Sequence, residues 1–120
     1  AALPALISSL KDKGLLDRTL IVAMGEFGRT PKINVNAGRD HYPRVNWSLM
    51  AGGGVKAGQL IGATNKAGDA PTDETIMSPD DIAATIYSSL GINPRTEYFA
   101  KTGRPVMLVP HGTVLQNVFG

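Results

Sequence analysis

Leu20-Ile21-Val22-Ala23-Met24-Gly25-Glu26-Phe27-Gly28 decides how this chain is read. Its first five residues form the most apolar run in the sequence, with the continuous, β-leaning character of a strand buried on both faces, and buried strands of that kind belong to parallel sheets covered by helices. A carboxylate released from the end of such a strand into a glycine-flanked loop stands where open α/β sheets place their ligand sites. The same loop continues through Arg29, Lys32, Asp40, His41 and Arg44, so acid, base and imidazole are all within reach of one crevice.

Upstream, Leu3, Leu6, Ile7 and Leu10 recur at helical spacing, Pro4 suits a first turn, and Gly14 after Lys11 and Lys13 marks a stop. A helix followed by a central strand, Thr19 to Met24, gives an α/β expectation. From Gly25 to Asn46 the chain has no periodicity, and a connection of that length is expected to be functional or disordered. Further strands are expected at Trp47 to Ala51, Gln59 to Thr64 and Pro105 to Val109. The clearest helix starts at Ser78: a capping hydroxyl, Pro79 at the first position, Asp80 and Asp81 in the positive first turn, then Ile82, Ile86 and Leu90 on one face. Gly91 ends it, Ile92 folds back onto the last turn, and Asn93-Pro94 blocks continuation.

With 120 residues, 42% of them hydrophobic, a single domain with one core is the expectation. The net charge is +2, and the twelve Lys and Arg residues are scattered rather than gathered into a phosphate-tracking face, which argues against nucleic acid. No apolar run approaches the ~20 residues of a membrane-spanning helix. Cysteine is absent, so a metal would be held by oxygen and imidazole ligands. The first residues already carry the helical pattern, as expected of a processed or truncated piece. Gly52-Gly53-Gly54 follows a strand but lacks the Lys-Ser/Thr ending of a phosphate loop, so a tight turn or bulge is expected there.

Gly25-Glu26-Phe27-Gly28 at a strand end, His41 farther along, and Asp81-Ile82-Ala83-Ala84-Thr85-Ile86-Tyr87-Ser88-Ser89-Leu90-Gly91-Ile92 together resemble the C-terminal part of the alkaline phosphatase-like superfamily, which includes sulfatases and cofactor-independent phosphoglycerate mutases. More closely, Met24 to Asn34, Gly38-Arg39-Asp40-His41 and Ala51-Gly52-Gly53-Gly54 resemble a bacterial sulfatase-like family known as a domain of unknown function, family 1501. The resemblance covers nearly the whole chain and the last part of a full-length member.

It implies the C-terminal portion of an α/β/α sandwich: a small, mostly parallel β-sheet packed by helices, with two divalent cations at the carboxyl ends of the strands. On that pattern Glu26 matches a metal-binding aspartate and His41 a later metal-binding histidine, while Phe27 stands where the superfamily has a further histidine and ligates nothing. Asp40 is a third candidate ligand, for a divalent ion among zinc, magnesium, calcium and manganese. Arg29 has the planar fork suited to an anionic ester. The superfamily's nucleophile and remaining aspartates lie in earlier sequence. The expected function is therefore that of the C-terminal part of a metal-dependent phosphate or sulfate ester hydrolase, of periplasmic or secreted origin by resemblance. The alternative is a non-catalytic sulfatase-like module that folds, or self-associates, through its sheet edge.

Each candidate also has a plainer reading. Glu26 caps a helix start or pairs with Arg29; Arg29 pairs with Glu26 or Asp40; His41 is a core or turn histidine. His111, between Pro110 and Gly112, reads as a turn residue and Trp47 as packing.

Overall fold

The computed structural model describes residues 2–72 and 76–120. It mixes helix and strand, and the chain divides into two compact units, Ala1–Ile76 and Met77–Gly120.

In the first unit, helix α1 spans Ala2–Asp12 and turns one face inward, with Leu3, Ile7 and Leu10 half-buried and Leu6 exposed. Strand β1 is Ile21–Met24, and short strands β2 (Gly28–Arg29) and β3 (His41–Tyr42) follow before β4 (Ser48–Ala51). The expectation of a mostly parallel sheet is not met among the described residues. β1 pairs antiparallel with β4 in the register Ile21↔Ala51, Val22↔Met50, Ala23↔Leu49 and Met24↔Ser48. A parallel pair needs a crossover, usually a helix, to carry the chain back to the starting edge. Residues 25–47 hold instead a second hairpin, in which β2 pairs antiparallel with β3.

β1 is also less covered than a strand buried on both faces: Ile21, Val22 and Ala23 are half-buried and Met24 is exposed. Trp47 precedes β4 rather than belonging to it, and 62% of its surface is open, so its expected packing role is not met. The glycine run after β4 is a packing turn. Gly52 has φ +73°, and a Cβ there would stand 2.3 Å from the Thr19 carbonyl oxygen; the next amide, Gly53, donates to the Leu16 carbonyl at 2.9 Å. The strand expected over Gln59 to Thr64 is reduced to one bridge, Thr64 to Pro71, around a tight turn closed by the Asn65 amide donating to the Ala70 carbonyl.

In the second unit, helix α2 spans Pro79–Ser89 behind a complete capping box: the Ser78 hydroxyl accepts from the Asp81 amide at 3.1 Å, and the Asp81 carboxylate accepts from the Ser78 amide at 2.7 Å. At the other end Gly91 takes φ +74°, its amide donates to the Ser88 carbonyl, and the Ile92 amide reaches back to the Tyr87 carbonyl. The apolar core gathers Ala84, Val109 and Val118. Buried Thr85 ties the tail to the helix, donating its hydroxyl hydrogen to the Asp81 carbonyl and accepting from the Leu115 amide at 3.0 Å. Strands β5 (Glu97–Phe99) and β6 (Pro105–Met107) form an antiparallel hairpin, and exposed His111 lies in the turn expected of it.

Candidate functional site

The loop leaving β1 is held at its root. Asn46 donates its side-chain amide to the Gly25 carbonyl at 2.6 Å, and its Oδ1 accepts from the Trp47 amide at 2.8 Å, so the exit from β1 and the entry to β4 are fastened by one residue. Between those ends the β2–β3 hairpin sets Gly28 opposite Tyr42 and Arg29 opposite His41. Gly28 is required by closeness of approach: a Cβ on it would fall 1.6 Å from the Val45 carbonyl oxygen.

Strand geometry then decides which side chains meet. Residues directly opposite share a face, so Arg29 and His41 belong together, and Phe27, in the bend just before β2, contacts both. The rings of Phe27 and His41 have centroids 3.9 Å apart and planes inclined at 33°. The Arg29 guanidinium carbon lies 5.3 Å from the Phe27 centroid, within cation–π range, and its Nη1 donates to the Arg39 carbonyl. Glu26, exposed, immediately precedes Phe27. Among the described residues neither the Glu26 carboxylate nor the His41 ring nitrogens has a hydrogen-bond partner, which leaves their lone pairs open to a ligand.

Asp40 goes elsewhere. As the neighbour of His41 along an extended arm it points to the other face, where its carboxylate accepts from Asn34 Nδ2 at 2.8 Å. Asn34 is a hub: its Oδ1 also accepts from the Asn36 and Gly38 amides, both at 3.0 Å. This side of the hairpin carries an open depression of about 380 Å³ lined by Thr30, Lys32, Ile33, Asn34, Val35 and Asp40. A metal role for Asp40 alongside His41 would require its carboxylate to leave Asn34 and cross the hairpin. No group of three or more His, Cys, Asp or Glu side chains with metal-binding geometry occurs among the described residues.

Residues 25–46 carry four basic against two acidic side chains. Two of the cations are partly used by the loop itself: Arg29 on the Arg39 carbonyl, and Arg39 on the carbonyls of Thr30 and Pro31. Lys32 and Arg44 are exposed on the same connection.

A family model, "Protein of unknown function (DUF1501)", matches residues 1–119. The chain belongs to the DUF1501 family. No curated protein and no solved structure matches it. In this DUF1501 chain no helix is long and apolar enough to cross a membrane among the described residues.

Three residues that position the DUF1501 loop escape a search for charged or metal-binding types: Phe27, which the imidazole stacks on, Asn34, and Asn46. Of the two asparagines, Asn34 leaves a signal. An Asn followed within a few residues by Gly, as in Asn34 to Gly38, is the pattern of a side chain that folds its own backbone.

Proposed function

We propose that this DUF1501 chain forms the metal- and anion-binding side of a hydrolase of phosphate or sulfate esters, as the C-terminal portion of an alkaline phosphatase-like α/β/α sandwich. In this reading Glu26 and His41 hold a divalent cation and Arg29 orients the anionic ester. The observation that carries it is that Arg29 and His41, opposite each other on one hairpin, both contact the ring of Phe27, the residue directly after Glu26.

The donor set fits such an ion. Stacking covers the face of the imidazole and leaves its in-plane nitrogen lone pairs, which are what coordination uses; a carboxylate and an imidazole suit zinc or manganese. Two donors make half of a tetrahedral shell, so further ligands and the nucleophile come from outside these residues. A cation bound there would polarise a phosphoryl or sulfuryl oxygen as a Lewis acid. The chain's own part is to keep the imidazole fixed against Phe27 and to present a planar guanidinium to two ester oxygens at once.

Thermal unfolding in the presence of zinc or manganese tests the reading. A ligand present at about 100 times its Kd stabilises by about 2.7 kcal/mol, and this gain should vanish in Glu26→Ala and in His41→Ala. Unchanged unfolding of the parent chain with either metal would refute it.

A second reading, a non-catalytic module that self-associates through a sheet edge, draws on a different observation. No described residue of the first unit is buried, and both outer edges of the β1–β4 pair are unpaired among the described residues. A two-stranded sheet is marginal in water without more strands or a covering layer. Concentration-dependent sedimentation without any response to metal would favour this reading over the first.

A further inference from the structure

The β2–β3 hairpin that carries Arg29 and His41 has two residues in each strand, too few to hold its own register. A separate turn grips it from outside. The turn Asn65 to Asp69 is stiffened by its own side chains: Asn65 Oδ1 accepts from the Asp69 amide at 3.1 Å, and Asn65 Nδ2 donates to the Asp69 carboxylate at 2.6 Å. One side of this turn meets the first arm of the hairpin, where Gly68 lies against the Pro31 ring, close enough that a Cβ would sit 3.7 Å from Pro31 Cγ. The other side meets the second arm, where the half-buried Tyr42 donates its phenolic hydrogen to the Asp69 carbonyl at 2.7 Å. Tyr42 is next to His41 in sequence and stands opposite Gly28, which joins Phe27 to Arg29.

We infer that Tyr42 is a positioning residue: its hydroxyl, hooked onto the Asn65–Asp69 turn, sets the register of the hairpin and thereby keeps the His41 imidazole over Phe27. The consequence for cation binding rests on the proposed role of Glu26 and His41, whereas the consequence for the ring stack does not. A one-residue slip in a strand turns every side chain to the opposite face. Losing the anchor would thus move His41 off Phe27 even though neither residue touches Tyr42's hydroxyl. Phenylalanine at position 42 keeps the ring and removes only the hook.

The experiment compares the parent chain with Tyr42→Phe and Asn65→Ala by NMR. An imidazole stacked on a benzene ring has its proton resonances shifted upfield by the ring current, and the exposed His111, the other histidine in the sequence, supplies an internal reference. In both variants the His41 ring protons are expected to move downfield toward the His111 positions while the backbone amide pattern outside residues 26–46 and 64–71 stays in place. Zinc affinity should fall with them, by about tenfold, at the low end of what loss of an outer-shell partner costs a metal site. His41 resonances that stay upfield in both variants would overturn the inference. So would a collapse of the whole spectrum in both, since Tyr42 would then support the fold at large. If the parent chain takes up no zinc but the ring shift still follows Tyr42, the positioning role stands and the cation reading fails.

Discussion

The imidazole of His41 lies 3.9 Å, centroid to centroid, from the ring of Phe27, although fourteen positions of chain separate them. The contact closes the long connection between β1 and β4 on itself. It also gives a phenylalanine a role that its chemistry alone would not: it has no donor atom, yet it fixes a residue that has two. A double-mutant cycle on Phe27→Leu and His41→Gln should return a favourable coupling of about 0.5–1.5 kcal/mol, the range of aromatic pairs, measured by chemical denaturation. Additive single effects would mean that the stack contributes nothing.

Gly28→Ala should be far more damaging than its position in a loop implies. The added methyl would overlap the Val45 carbonyl, a backbone atom that cannot rotate away, so β2 must separate from the 43–46 segment. A loss of about 1–3 kcal/mol is expected, the usual cost of overpacking, together with loss of the His41 upfield shift. Chemical denaturation and the His41 resonances check the two parts separately.

The pH dependence of the second unit follows from Asp81. The Thr113 backbone amide, then the Ser78 backbone amide, hold its carboxylate in the charged form and lower its pKa below the ordinary value of 3.8. A folded-state pKa below the unfolded one gives stability that is fully present above about pH 3.8 and is lost as pH falls through the lower, folded value. Asp81→Ala should therefore cost about 1–2 kcal/mol at neutral pH through loss of the helix cap, and its stability curve should flatten in the acid window where the parent chain's declines. Unfolding curves collected from pH 2 to pH 6 give the comparison.

The parts of this fold differ in how far the sequence discloses them. The α2 cap was legible almost atom by atom, because Ser78-Pro79-Asp80-Asp81 and Gly91-Ile92 act through bonds spanning only a few residues. β1 and β4 were legible as strands, but their direction was not. An apolar run such as Leu20 to Met24 records burial, whereas the sense of pairing depends on what lies between the strands, and here that is a hairpin with two-residue arms too short to show alternation. The β5–β6 hairpin is half legible: the strand expected over Pro105 to Val109 is β6, shortened to Pro105–Met107, and Glu97-Tyr98-Phe99, exposed throughout, carries no apolar periodicity. At the candidate site Arg29 and His41 are ladder partners, a pairing that no sequence spacing discloses. Asp40 was drawn to Asn34, a partnership visible only once the 34–38 turn is folded.

Arg29→Lys separates charge from shape. Lysine keeps the positive charge but lacks the planar fork that both lies over Phe27 and meets two oxygens at once. Binding of inorganic phosphate or sulfate to the metal-loaded chain should weaken about tenfold, equivalent to about 1.4 kcal/mol, while the metal affinity itself changes little. Equal weakening of metal and anion would place Arg29 in the structure of the loop rather than on the anion.

The most direct test of the cation site is a zinc titration followed through the ring nitrogens of the two histidines by NMR. Coordination by Glu26 and His41 predicts that one His41 nitrogen shifts at substoichiometric zinc, that His111 does not respond, and that Glu26→Ala weakens the effect at least tenfold, or by about 1.4 kcal/mol. A His41 ring that ignores zinc, or one whose response is the same with and without the Glu26 carboxylate, would contradict it.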